Sequence, residues 1–183
     1  MFTVAVLVGS LRRDSINAKL AKALGALASS RLEFRRIPLA DLPLYNEDLW
    51  EAPPAAVLAF KQRVEACDAV LFLTPEYNRG IPAVLKNAFD WGTRPYGQNS
   101  WAGKPGAVAG TSPGAVATAV AQFQLRAMLV VLDVIVMGQP ELYFRFSPGV
   151  FDDAGHVADD ATRAVLEAWI LKFEAWISRM SAH

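Results

Sequence analysis

The chain is 183 residues long, 53% of them hydrophobic, with a formal net charge of zero. That apolar content excludes a disordered chain, and the length supplies one domain, residues 1–183, with room for a substantial core. Zero net charge argues against a nucleic-acid partner, which needs a basic face. One cysteine, Cys67, and two histidines, His156 and His183, exclude an intrachain disulfide, a cysteine zinc cluster and a histidine metal site. No basic segment precedes the short N-terminal apolar run, and no stretch reaches transmembrane length. A cytoplasmic protein with no membrane partner is therefore expected.

The first element is a valine-rich apolar run, Val4 to Val8, suited to a strand buried on both faces. The run stops at Gly9, and Ser10, Arg12, Arg13, Asp14 and Ser15 follow. Apolar residues then recur at Ile16, Leu20, Ala23, Leu24 and Leu27, one face of a helix. Such a strand–loop–helix unit can aim backbone N–H groups and a helix N-terminus at an anion. The hydroxyls of Ser10 and Ser15, the Asn17 amide and a guanidinium from Arg12 or Arg13 would complete a phosphate cradle. A plain helix start capped by Asp14 or Ser15, with solvated arginines, accounts for the same residues.

Residues 32–38 read as a second strand ending at Pro38, and 40–54 as a loop with three prolines. The spacing of Val57, Phe60 and Val64 predicts a helix over 55–66, and 68–73 is a third strand buried on both faces. A second polar loop, Thr74-Pro75-Glu76-Tyr77-Asn78-Arg79-Gly80, follows that strand directly. Pro75 constrains its start and Gly80 frees its end. Tyr77 offers an aromatic face, and the peptide groups of Glu76, Tyr77 and Asn78 could meet the edge of a heteroaromatic ring. An ordinary turn with Tyr77 packed over the sheet is the alternative.

The next helix, 81–91, carries Pro82 in its first turn, where proline is tolerated. An irregular segment, 93–104, holds Tyr96 and Trp101 and leads to a fourth strand at 105–110. The third loop, Thr111-Ser112-Pro113-Gly114, opens a helix over 115–129. A fifth strand at 134–137, an extended piece at 142–146 and a turn-rich segment at 147–155 complete the middle of the chain. The last helix, 159–180, is expected to bury Val165, Leu166, Trp169, Phe173 and Ile177.

Five strands alternating with helices predict an α/β fold with a doubly wound, five-stranded parallel sheet. In the order 2-1-3-4-5, strands 1, 3 and 4 are neighbours, so their three polar loops converge on one crevice. The order 3-2-1-4-5 would leave the loop after strand 3 at an edge.

Several nucleotide and catalytic motifs fail. Only Gly9 follows strand 1, so G-x-G-x-x-G is absent, and Gly103-Lys104-Pro105 has the wrong spacing for a P-loop. Gly110-Thr111-Ser112-Pro113-Gly114 matches the G-x-S-x-G elbow of serine hydrolases. There the oxyanion hole needs the N–H of the residue after the serine, and Pro113 has none. The bases on offer are His156, in a turn, and His183, the last residue. The loop reads better as a close backbone approach to a flat ligand.

Taken together, Gly9-Ser10-Leu11-Arg12 with Ser15-Ile16-Asn17, Leu42-Pro43-Leu44-Tyr45-Asn46, and the run from Thr74 to Pro82 with Lys86-Asn87 and Asp90-Trp91 resemble the NADPH-dependent FMN reductase family. This flavodoxin-like group contains bacterial quinone and chromate reductases and azoreductases. The likeness runs from Val4 to about Glu141, and the final helix adds nothing specific. The resemblance implies FMN as cofactor and NADPH or NADH as co-substrate, with hydride passing by way of FMN to a small-molecule acceptor. That acceptor would be a quinone, free flavin, azo compound or chromate. It assigns the FMN phosphate to Ser10, Arg12, Ser15, Ile16 and Asn17. The isoalloxazine falls to Pro75, Glu76, Tyr77, Asn78 and Gly80, and the third flavin-side loop to Thr111, Ser112 and Gly114. No catalytic side chain and no metal are implied, because the flavin carries the chemistry. A flavodoxin-type electron carrier is the rival, but its acidic surface and arginine-free phosphate loop do not match.

Helix 81–91 is apolar nearly all round, so a second side needs cover. A homodimer built on this helix is expected, with Phe89 and Trp91 in the interface and Tyr96 and Trp101 walling a shared site. The resemblance points the same way, to homodimers that in some members pair into tetramers.

Overall fold

A computed structural model describes residues 1–152 and 154–181; His183 lies outside them. The chain runs β1 (Phe2–Val8), α1 (Ile16–Leu27), β2 (Leu32–Arg36), α2 (Ala55–Glu65), β3 (Ala69–Leu73), α3 (Ala83–Gly92), β4 (Pro105–Ser112), α4 (Ala119–Val131), β5 (Ile135–Val136), β6 (Leu142–Arg145) and α5 (Asp160–Met180). All pairings in the sheet are parallel, in the order β2-β1-β3-β4-β5, with β6 also on β4. Among the described residues no helix is long and apolar enough to cross a membrane.

The apolar runs are buried on both sides because helices cover both faces. Val4, Val6 and Val8 of β1 and Leu71 and Leu73 of β3 share a cluster with Leu24 of α1 and Trp169 and Phe173 of α5. The intervening residues Ala5, Leu7, Val70 and Phe72 face the opposite way, into a cluster with Val57, Phe60, Leu85 and Leu125 of α2, α3 and α4. The two-residue alternation of a strand thus divides one sequence between two cores.

Several sequence expectations are corrected. The fifth strand position is shared. β5 pairs only with Pro105 and Gly106, whereas β6 pairs with Ala109 to Ser112 further along β4. Pro140 between them has no N–H to continue a ladder. Helix α4 starts at Ala119, because Ala117 sits at φ 49°, outside the helical region. Pro82 is extended at φ −68°, ψ 143° and precedes α3 as its cap residue, and proline also disfavours a helical Ile81 before it. Val165 is 58% exposed, since the buried stripe of α5 runs through Leu166, Trp169, Ile170, Phe173 and Ile177, one residue round the helix.

The second apolar side of α3 is covered within the chain. The 40–54 loop contains a short 3-10 helix, Glu47–Glu51, and lays Leu42, Tyr45, Leu49 and Trp50 against the cluster that holds Phe89 and Trp91. The Trp91 ring meets Tyr45 and Trp50 edge-on at 4.9 and 5.4 Å. Its Nε1 and the Asn87 amide both donate to the Pro43 carbonyl at 2.8 Å. Phe89 and Trp91 are consequently buried in one protomer. Trp101 is core as well, ringed by Phe60, Phe72 and Phe89, so it walls no shared site.

Candidate functional site

Adjacent strands β1, β3 and β4 end at one edge of the sheet, and the loops that follow them enclose one cavity of about 200 Å³. Close backbone approach at this edge depends on two glycines. A Cβ at Gly9 would lie 2.6 Å from Pro82, and one at Gly110 would run into the Thr74 carbonyl and the Thr118 hydroxyl. Gly9 N donates to Leu73 O at 2.8 Å, which ties the first loop to the end of β3.

From the first loop Ser10, Arg12, Ser15, Ile16 and Asn17 all line this cavity. Ser15 is the N-cap of α1, its Oγ accepting from Ala18 N at 3.2 Å, while its own O–H remains a donor. The first turn of α1 holds no acidic residue, so nothing there competes with an anion for the helix N-terminus. Ser10 and Ser15 are both buried and Arg12 is exposed at the rim. The Asn17 carboxamide is engaged inside the protein: Nδ2 donates to Thr111 O at 2.9 Å and Oδ1 accepts from Thr111 N at 3.0 Å. Asn17 therefore joins the first loop to the third, leaving its backbone N–H in the unpaired first turn of the helix.

The second loop brings Pro75, Glu76 and Tyr77 to the cavity. Tyr77 and Gly80 exchange backbone hydrogen bonds at 3.0 and 2.9 Å around Asn78 and Arg79, whose φ values are 51° and 62°. This is a two-residue hairpin turn of the primed type, with both central residues left-handed. Glu76 is turned away from solvent: Oε1 accepts from Arg79 Nη1 at 2.7 Å, and Oε2 accepts from the N–H groups of Val120 and Ala121 at the start of α4.

Thr111, Ser112 and Pro113 close the cavity from β4. The buried Thr111 hydroxyl has no hydrogen-bond partner among the described residues. An adjoining cavity of about 370 Å³, sharing Glu76 and Ser112, adds Asn78, Arg79 and Gly114. Of the residues that the family resemblance assigns to the flavin, Gly80 alone lines neither space, since it closes the hairpin; Arg13, the alternative guanidinium, lines neither. Neither space that Ser112 lines contains a histidine. His156 lies in the turn after Phe151, its Nδ1 2.7 Å from Asp152 Oδ2, a contact that lowers the Asp152 carboxyl pKa. The hydrolase constellation is not assembled among the described residues.

A cavity lined by hydroxyl donors, a helix N-terminus and a rim arginine suits a phosphate-bearing ligand, and these residues have the chemistry to hold the phosphate of FMN. The unsatisfied Thr111 hydroxyl is the structural sign of that fit. Sequence reasoning missed Arg79, which completes the second loop by pairing with Glu76. The signal was available in Asn78-Arg79-Gly80, where a two-residue primed turn can form.

Comparison with known proteins agrees with this geometry. The profile of the NADPH-dependent FMN reductase family matches residues 2–149. A 2-hydroxy-1,4-benzoquinone reductase of a Burkholderia species is 47% identical over 93% of this chain and 93% of its own length. A quinone reductase of Pseudomonas putida is 49% identical, over 94% of this chain and 93% of its own. Among solved structures, FerB, a flavoenzyme NAD(P)H:(acceptor) oxidoreductase from Paracoccus denitrificans, superposes with a TM-score of 0.96 at 49% identity, over 98% of this chain and 99% of that one. The chain belongs to the NADPH-dependent FMN reductase family, as a flavodoxin-like oxidoreductase with FMN as cofactor and NAD(P)H as co-substrate.

Proposed function

We propose that this chain passes reducing equivalents from NAD(P)H to a quinone, and that the cavity at the ends of β1, β3 and β4 holds the flavin. The observation that carries the reading is the convergence of three loops on one space with buried hydroxyl donors and an unsatisfied Thr111 hydroxyl. The names of the relatives at 47% and 49% identity supply the acceptor class. Ser10, the Ser15 O–H, the first-turn N–H groups of Ile16 and Asn17, and Arg12 hold the phosphate. Backbone groups from Pro75 to Gly80 and from Thr111 to Gly114 meet the ring. When bound, FMN supplies the hydride-accepting centre. The protein residues bind and orient, and no acid, base or metal cluster is required of them. A cytoplasmic location, where NAD(P)H is at hand, is part of the same reading.

Stopped-flow reduction with NADPH and with NADH, followed by reoxidation with a quinone, free flavin, an azo dye and chromate, tests the assignment. The quinone should reoxidise the protein fastest. Failure of NAD(P)H to reduce the loaded protein at all would favour a flavodoxin-type one-electron carrier instead. Ser112→Ala should retain reductase activity, since the Ser112 hydroxyl accepts from Gly114 N at 3.2 Å and no histidine lines either space beside it.

The reading includes a homodimer, placed on α4 rather than on α3. Val120, Phe123, Val130 and Val131 are exposed on α4, Phe123 by 76%, and Tyr96, which lines a cavity with Val131, is 94% exposed. Positions 120, 123 and 130 fall on one stripe, the pattern by which a helix packs on its own copy about a two-fold axis. Sedimentation of wild type and Phe123→Lys at micromolar concentration tests this. The variant should sediment as a monomer with an unchanged circular dichroism spectrum.

A further inference from the structure

The conformation of Arg79 is against its own preference. Primed two-residue turns favour glycine at the second central position, and a side chain at φ 62° is held there only by what surrounds it. Backbone held in a disfavoured region is concentrated where function over-determines it. Here the surroundings can be named. The Arg79 guanidinium bonds Glu76 Oε1 at 2.7 Å, and the Glu76 side chain is only 5% exposed. The other Glu76 oxygen caps the first N–H groups of α4 at 3.1 Å. The Arg79 carbonyl accepts from Gln124 Nε2 at 2.9 Å, one turn further along the same helix. Gly80 lies flat against that amide, since a Cβ there would stand 3.4 Å from Gln124 Oε1. Three bonds therefore staple the Asn78–Arg79 turn to α4, at the boundary of the two cavities that Glu76 lines.

The geometry points to Arg79, with Gln124 as its anchor, as a positioning residue: it locks the second loop onto α4 and so presets the peptide groups that meet the flavin ring. This rests on the flavin reading above. A glycine at 79 would suit the turn better, so a turn that mattered for folding alone would gain from it. An arginine at 79 makes sense where the guanidinium and the fixed carbonyl set the loop's orientation.

The test titrates flavin-free protein with FMN and with lumiflavin, which has the ring but neither ribityl chain nor phosphate, following flavin fluorescence. Thermal melts of the same flavin-free samples are recorded alongside. Arg79→Gly should melt at or above the wild-type temperature yet bind both ligands about tenfold more weakly, the scale of one charge-assisted hydrogen bond. Gln124→Ala should weaken both in the same direction, and Arg79→Lys should recover part of the loss. Arg12→Ala, acting at the phosphate, should weaken FMN and leave lumiflavin unchanged. Binding of both flavins by Arg79→Gly within twofold of wild type would overturn the inference while leaving the flavin site intact. Wild-type protein that binds neither flavin would overturn both this inference and the functional reading beneath it.

Discussion

Asn17, in the first turn of α1, holds both backbone polar groups of Thr111 at the end of β4, giving one hydrogen bond and taking one. Both residues are almost wholly buried. The helix that opens behind the first loop and the strand that carries the third are thereby fixed to each other across the candidate site. Asn17→Ala leaves the Thr111 N–H and C=O buried without partners, which costs about 1–3 kcal/mol per group. Urea denaturation should show that loss. Asn17→Asp should be intermediate, because a carboxylate still accepts from Thr111 N but faces Thr111 O without a donor.

Arg12 is exposed at the cavity rim and not bound up in the interior, so its removal should be felt by ligand rather than by fold. Arg12→Ala should weaken FMN by about 1.5–3 kcal/mol, the worth of a charge-assisted contact, with the melting temperature nearly unchanged. Riboflavin, lacking the phosphate, should be much less affected. Equal losses for the two ligands, measured by fluorescence titration, would place the arginine elsewhere.

Gly110 and Gly138 make a matched pair. A methyl at Gly110 meets the Thr74 backbone and Thr118, whereas nothing lies within 4 Å of one at Gly138. Gly110→Ala should destabilise by about 1–3 kcal/mol or more through overpacking, and should push β3 and β4 apart at the site. Gly138→Ala, at an exposed position, should stay within about 0.5 kcal/mol of wild type. Differential scanning calorimetry of the two variants checks the contrast.

Burial, reinforced by Glu141, pushes the Tyr143 hydroxyl up to about 12. An unfolded chain releases that proton near pH 10, roughly the reference value for tyrosine. Between these values the folded protein binds more protons than the unfolded one, so the stability contributed by Tyr143 is complete below the unfolded pKa and falls as pH rises toward 12. Tyr143→Phe should flatten this alkaline decline. It should also remove the phenolate that appears near pH 12 in an absorbance titration of ionised tyrosine.

The parts of the fold written in local pattern were legible. Apolar runs at β1 and β3 and the spacing in α1 depend on burial on two faces or on one helical stripe, and sequence carries both signals directly. The two extended pieces at 134–137 and 142–146 were legible too, but not that both pair with β4, because only the ladder reveals which residues pair. Nor was the left-handed Ala117, a conformation set by its neighbours rather than by its own preference. Cover for α3 had a signal in Leu42, Tyr45, Leu49 and Trp50, four large apolar residues in a loop that needed a surface to lie on. At the site, the chain positions were readable but the work of each side chain was not. Asn17 and Glu76 have the chemistry of ligands, and only their partners show that Asn17 braces Thr111 and that Glu76 caps α4.

The most direct test of the central claim is reconstitution. Protein stripped of flavin should oxidise neither NADPH nor NADH in the presence of a benzoquinone, and adding FMN should restore quinone-dependent oxidation with saturation at one FMN per chain. Activity that persisted in the stripped protein, or that FMN failed to restore in a correctly folded sample, would contradict it.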